Sequence, residues 1–231
     1  AVGRSDAAAM TSLFLLLVNL ALAAPSLWSH NFEAEDLQSG LPVPLSYYKG
    51  KVLLIVNVAS QCGYTDSSYN QLNNLHSRFA ARGLAILAFP CNQFGGQEPG
   101  TADAIFDFAT RTKSAGFDLF QKVDVNGPKA HPLFRFLRGE GDCTDDDGSC
   151  DSWAASGECE QNQEFMHASC RLSCGLCSAS AGAGPPIKWN FESFLVSKGG
   201  VVDERFATGT DLTSAAVQRK IDALLAQKDE L

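Results

Sequence analysis

The chain has 231 residues, 45% apolar and 19% charged, with a formal net charge of −8. This is enough for one domain of about 150–200 residues with something small beside it, and it excludes a wholly disordered or collagen-like chain. An acidic balance without a long Lys/Arg run also excludes a dedicated nucleic-acid binder. The charge is unevenly placed: between Glu140 and Cys177 stand nine acidic side chains and one basic one, Arg171, leaving seventeen of each sign elsewhere. The cysteines are as lopsided, with Cys62 and Cys91 isolated and six more between Cys143 and Cys177.

In chain order, the first feature is the apolar stretch from Met10, closed by Ala21-Leu22-Ala23 and Pro25. It is short for a membrane span and carries Asn19, so it predicts a cleaved signal peptide, and residues 1–24 are set outside the fold. Lys51–Val58 is a β-branched apolar run, as expected for a buried central strand. Ser60–Tyr64 reads as a turn and Thr65–Ala80 as a helix with Leu72, Leu75 and Phe79 on one face. Gly83–Pro90 predicts a second buried strand and Cys91–Gly100 a Gly-rich loop. Thr101 can cap a helix running to about Thr112, followed by a short strand over Phe117–Val123 and a short helix over His131–Arg138. Beyond the cysteine block, Ile187–Val196 and Val201–Ala207 flank a hairpin turn at Ser197–Gly200, and Asp211 can cap a last helix ending near Ala226. Buried strands alternating with helices, then a hairpin and helix, predict an α/β sandwich around a mixed sheet. His76 and His131 stand alone, as structural or surface residues, and no Ser-His-Asp set, phosphate loop or His-rich metal cluster is visible.

The chain ends Lys228-Asp229-Glu230-Leu231, the endoplasmic-reticulum retrieval tetrapeptide. With the signal peptide it predicts a lumenal protein with no membrane span after cleavage, recognised by the KDEL receptor, in a compartment where disulfides persist.

Cys62 lies where a buried strand ends and a helix is about to begin, a position that aims helix N–H groups at the sulfur and favours thiolate. The segments Asn57-Val-Ala-Ser-Gln-Cys-Gly-Tyr-Thr65, Phe89-Pro-Cys-Asn-Gln-Phe-Gly-Gly-Gln-Glu-Pro99 and Lys188-Trp-Asn-Phe191 closely resemble the three signature segments of the glutathione peroxidase family. The resemblance runs from about Ser29 to Leu225, interrupted by the cysteine-rich block. It implies a thioredoxin-like fold, with Cys62 as the peroxidatic residue where many relatives have selenocysteine, and Gln97, Trp189 and Asn190 as its catalytic partners. Amide and indole N–H groups do not titrate near pH 7, so they can stabilise a thiolate and a departing oxygen without consuming a proton-transfer group. The product on the enzyme is a sulfenic acid, the first reversible rung of cysteine oxidation.

Relatives that use thioredoxin-type reductants carry a resolving cysteine in the helix after the Gly-rich loop. Here that helix has none, and Ala109 lies near the expected place. Cys91 is then the candidate resolving residue, with packing as the alternative. The pattern resembles the endoplasmic-reticulum branch of the family. That likeness implies a protein disulfide isomerase-like or thioredoxin-like reductant, with glutathione as the other thiol co-substrate, and no bound cofactor or metal.

Cys143, Cys150, Cys159, Cys170, Cys174 and Cys177 are separated by six, eight, ten, three and two residues. So dense a set in a lumenal chain predicts a disulfide scaffold, and spacing alone leaves about 15 connectivities. Cys174-Gly-Leu-Cys177 has redox spacing but neither follows a strand nor opens a helix of the main fold, and zinc would need reduced thiolates. The block from Cys150-Asp-Ser-Trp to Ser173-Cys-Gly-Leu-Cys177 resembles a ShKT domain. That resemblance implies the pairs Cys143–Cys177, Cys150–Cys170 and Cys159–Cys174. The block has no lysine to plug a channel. It reads as an insertion that recruits a lumenal partner or shapes access to the site. The expected organisation is residues 25–139 and 179–227 as two parts of one peroxidase domain, 140–178 as the ShKT-like insertion, and 228–231 as the retrieval signal. A monomer is expected, because the insertion falls where the family's oligomer contacts do. The expected function is a lumenal thiol peroxidase in the response to oxidative stress. The alternative is a non-catalytic binding protein in which the ShKT-like module recruits partners.

Overall fold

A computed structural model describes residues 25–139, 145, 147–170, 172–175 and 184–228. The expected signal peptide, the expected Cys143–Cys177 pair and the last three residues of the terminal tetrapeptide lie outside the described residues. Strands β1 (Glu33–Glu35) and β2 (Pro42–Pro44) form a small antiparallel hairpin that the sequence patterns did not announce. The Asp36 carboxylate makes its turn, accepting from the backbone of Gln38 and Ser39.

The central strand β3 (Val52–Val58) has all seven residues buried. Helix α1 (Thr65–Phe79) follows, then β4 (Leu84–Pro90), which pairs parallel to β3 from Val52↔Leu84 to Val58↔Pro90. Thr101 caps α2 (Ala102–Asp107) by accepting from the Ala104 N–H, and the chain widens into π geometry over Phe108–Thr112. The predicted strand 117–123 contracts to β5 (Asp118–Leu119), because Gln121 turns its N–H to the Glu35 carbonyl (2.7 Å). His131 caps α3 (Pro132–Leu137).

After the cysteine-rich block, β6 (Ser193–Val196) runs antiparallel to β3 and pairs with β7 (Val202–Phe206). The predicted strand from Ile187 is shorter because side chains claim its first backbone groups: Asn126 bonds both the N–H and the carbonyl of Ile187, and Glu192 accepts from the Lys188 N–H. The last helix runs from Ala215 to Ala226. Its cap is Ser214, not Asp211, whose carboxylate instead accepts from the Thr213 N–H and hydroxyl in the preceding turn.

The resulting sheet has the order β5-β4-β3-β6-β7. Alternation along β3 divides the core, as period-two side-chain placement requires. Val52, Leu54 and Val56 pack with Leu72, Leu75 and Phe79 of α1 and with the C-terminal helix, whereas Leu53 and Ile55 face α3 and the N-terminal segment. This is the thioredoxin-like arrangement expected from the sequence, with a mixed sheet between helices.

The cysteine-rich block contributes α4 (Cys150–Ala155), α5 (Glu158–Gln161) and α6 (Gln163–Ser169), joined by the disulfides Cys150–Cys170 and Cys159–Cys174. Both pairings are those expected. Among its described residues the buried centre is Cys150, Met166 and Cys170, with Trp153, Ala154, Cys159 and Cys174 against them, so the disulfides carry the ordering that a larger core would provide. The Asp145 carboxylate adds a polar tie, accepting from the Leu172 and Ser173 N–H groups and the Ser173 hydroxyl. Among the described residues no helix is long and apolar enough to cross a membrane.

Candidate active site

Sheet topology brings the three sequence segments to one end. β3 and β4 are parallel and in register, so the turn after Val58 and the loop after Pro90 leave side by side, tied by the Cys91 N–H to the Val58 carbonyl (3.0 Å). β6 is antiparallel to β3, so the residues leading into it arrive at the same end. The carboxyl ends of parallel strands are where α/β folds gather their chemistry.

Cys62 sits in the turn between β3 and α1, buried at 8% exposure and not disulfide-bonded. Thr65 builds that turn. Its hydroxyl donates to the Ala59 carbonyl (2.8 Å) and accepts from the Cys62 N–H (3.1 Å), and its own N–H donates to the Cys62 carbonyl (3.0 Å). The cysteine is therefore fixed from both sides, one turn ahead of a fifteen-residue helix.

Gln97 lies next to this turn, since its carbonyl accepts from the Gln61 N–H (3.0 Å). Two consecutive glycines in the left-handed region, Gly95 (φ +67°) and Gly96 (φ +64°), let the loop bend back so that Gln97 meets it. Asn190 is fully buried and donates its amide to Gln97 Oε1 (2.9 Å). This bond fixes the orientation of the Gln97 amide and commits its oxygen, leaving the NH₂ as a donor. One of the two Asn190 amide hydrogens is thus spent on orienting Gln97. Trp189, at 37% exposure, is the solvent-facing member, its ring 6.0 Å from that of Phe94. Asn57, near the end of β3, binds the Trp189 carbonyl through its side chain (3.1 Å), and its own carbonyl accepts from the Phe191 N–H (2.7 Å). The Asn190 carbonyl accepts from the Thr208 hydroxyl (2.7 Å). Four residues from three well-separated segments are held by neighbours that the motif reading did not single out.

Glu98 is the most consequential of these. It is fully buried, its Oε1 accepts from the Ser60 hydroxyl (2.7 Å), and its backbone N–H donates to Asn92 Oδ1 (2.8 Å). The carboxyl therefore bridges the nucleophile turn and the Gly-rich loop. Burial raises its pKa above the ordinary carboxylate value, with the Ser60 hydrogen bond opposing. In the sequence it is a charged residue inside the second resembling segment, with nothing there to show that it is buried. Cys91 occupies a different environment from Cys62. It is fully buried in the core cluster that includes Phe89, Phe94 and Leu133, whereas Cys62 belongs to the other cluster, and burial pushes the Cys91 thiol up to about 11. Ala109, at the place where a resolving cysteine was sought, is also fully buried.

Comparison with known proteins agrees with this architecture. The family model "Glutathione peroxidase" matches residues 29–138, and "ShK domain-like" matches residues 142–177. The chain is 41% identical to a probable phospholipid hydroperoxide glutathione peroxidase of Citrus sinensis, over 85% of this chain and 93% of that one. It is 38% identical to probable glutathione peroxidase 5 of Arabidopsis thaliana, over 86% and 91% of the two chains. Among solved structures it is similar to T. cruzi GPX1, with a TM-score of 0.55, 32% identity and coverage of 87% of this chain and 97% of that one. The arrangement around Cys62 and these likenesses lead to one conclusion: the chain belongs to the glutathione peroxidase family and carries a ShK-like domain within it.

Proposed function

We propose that the protein is a thiol-dependent peroxidase in which Cys62 reduces hydrogen peroxide or an organic hydroperoxide. The Cys62 thiolate attacks one peroxide oxygen, the O–O bond breaks, and the departing oxide takes a proton to leave as water or alcohol. Cys62 remains as sulfenic acid. The Gln97 amide and the Trp189 indole supply hydrogen bonds to the charge that moves, and Asn190 holds Gln97 in its donating orientation. The observation that carries this reading is the Asn190-to-Gln97 hydrogen bond beside the Gln61–Cys62 turn, which gives Gln97 a defined donating face.

An external thiol completes the cycle. It attacks the sulfenic sulfur, water leaves, and a second thiol reduces the mixed disulfide. We assign this role to a disulfide isomerase-type or thioredoxin-type dithiol, with glutathione as the alternative. The environment of Cys91 supports an external partner, because that thiol is fully buried and packs in a different core cluster from Cys62. The lumenal address rests on the signal-like stretch before Pro25 and on the terminal Lys-Asp-Glu-Leu. The ShK-like domain would then serve to recruit a lumenal partner. Steady-state peroxide consumption with reduced disulfide isomerase, thioredoxin or glutathione as sole reductant tests the assignment. Turnover is expected to be fastest with the dithiol proteins, and turnover sustained by glutathione alone would reverse the order.

A further inference from the structure

The chain returns from the cysteine-rich block directly into Trp189 and Asn190, and an unusually complete set of polar contacts stands at that point. Glu192, 3% exposed, accepts from the Lys188 N–H (2.5 Å) with one oxygen and pairs with Arg205 through the other, at 2.9 Å from Nε and 2.7 Å from Nη2. The Arg205 guanidinium then donates to the Pro185 carbonyl from Nη1 (2.6 Å) and to the Pro186 carbonyl from Nη2 (2.9 Å). Two prolines in succession have no N–H to give to a sheet, so their carbonyls are the handles this strap presents. The guanidinium meets them with a planar fork that also grips a carboxylate, a geometry an ammonium group does not reproduce. One residue earlier, a Cβ added to Gly184 would stand 1.8 Å from the Arg138 carbonyl, so the returning chain lies against the point where the block departs.

We infer that Arg205, oriented by Glu192, is a positioning residue: it fixes the Pro185–Lys188 strap so that the ShK-like insertion does not disturb the placement of Trp189 and Asn190. Its side chain spans from β7 to the strap, while Glu192 holds the strap from within the segment that enters β6. The clamp brackets the two site residues on one side, and the Asn57 and Thr208 bonds bracket them on the other. The inference rests on the proposed roles of Trp189 and Asn190 in the peroxide reaction, and the experiment separates the two.

The full-length chain labelled with 5-fluorotryptophan gives a ¹⁹F signal for each of Trp28, Trp153 and Trp189, with Trp189→Phe assigning the third. Arg205→Lys keeps the charge but loses the fork. Glu192→Gln with Arg205→Met removes the buried ion pair together, so no lone charge is stranded and an acceptor remains for Lys188. Lys220→Met, which loses exposed pairs with Asp203 and Glu204, is the control. Both clamp variants are expected to shift or broaden the Trp189 resonance selectively and to slow single-turnover peroxide reduction by about ten- to a hundredfold, the scale of a small misplacement. Lys220→Met should do neither. An unmoved Trp189 resonance in both clamp variants overturns the inference whatever the rate does. Equal disturbance of all three tryptophans also overturns it, because that is general loosening. A moved Trp189 with an unchanged peroxide rate upholds the clamp and removes Trp189 and Asn190 from the reaction.

Discussion

In the native protein Cys91 should be nearly inert toward alkylation. Its side chain is fully buried, its sulfur lies 3.8 Å from Gln93 Oε1, and burial moves the thiol from 9.0 to about 11. The thiolate is the nucleophile, so two units lower the reactive fraction at pH 7 about a hundredfold, from about one in a hundred to about one in ten thousand. Steric exclusion multiplies that factor. The assay is iodoacetamide labelling of Cys62→Ser at pH 7, with the Cys91 peptide followed by mass spectrometry in native and urea-unfolded protein. Native labelling is expected at least about a hundredfold slower. Labelling within tenfold of the unfolded rate would refute the reasoning, because it would show that the Cys91 thiol is readily exposed in the folded protein.

The same shift has a thermodynamic consequence. A raised thiol pKa adds stability that is complete below 9.0 and is lost as pH rises through about 11, a loss of about 3 kcal/mol at 1.36 kcal/mol per unit. The denaturation-midpoint difference between the native chain and Cys91→Ala should therefore shrink over that interval. Gly200 (φ +81°) packs where an added Cβ would stand 2.6 Å from Ser26 Oγ and 2.7 Å from Trp28 Cδ1, so Gly200→Ala should cost about 1–3 kcal/mol and lower Tm by several degrees. Asn190→Ala frees the Gln97 amide to rotate, and peroxide reduction should slow by about tenfold or more in stopped-flow traces without loss of Cys62 alkylation. Removing Cys159–Cys174, which closes a separation of 15 residues, should cost about 3 kcal/mol and abolish amide-exchange protection in α5 and α6.

Much of the fold was legible because its signals are local. The apolar run of β3, interrupted by Asn57, the Thr101 cap and the glycines around the 197–200 turn each specify an element without reference to the rest of the chain. The errors fell where side chains claim backbone groups, in a local turn or across the fold, and so end the regular pattern. Asp211 looked like a helix cap but closes a turn, and Ile187–Asn190 looked like strand but is held by the side chains of Asn126 and Glu192. The site divides in the same way. Cys62, Gln97, Trp189 and Asn190 stood out as members of a resemblance. Thr65 and Glu98 lie inside the resembling segments without a role being legible there, and the Glu192–Arg205 pair lies outside them, because a buried polar residue is recognised by the partner it meets, 38 residues away for Glu98. The Asn190-to-Gln97 hydrogen bond was equally out of reach of the sequence, because it joins residues 93 positions apart.

The central claim is that peroxide reduction passes through Cys62 alone, and single-turnover stopped flow tests it most directly. Reduced native chain, Cys62→Ser and Cys91→Ser are mixed with hydrogen peroxide, and the sulfenic acid is trapped with dimedone and located by mass spectrometry. The account predicts one equivalent of peroxide consumed rapidly by the native chain and by Cys91→Ser, with the dimedone adduct on Cys62, and no fast phase in Cys62→Ser. A fast phase that survives in Cys62→Ser, or an adduct that forms first on Cys91, would contradict it.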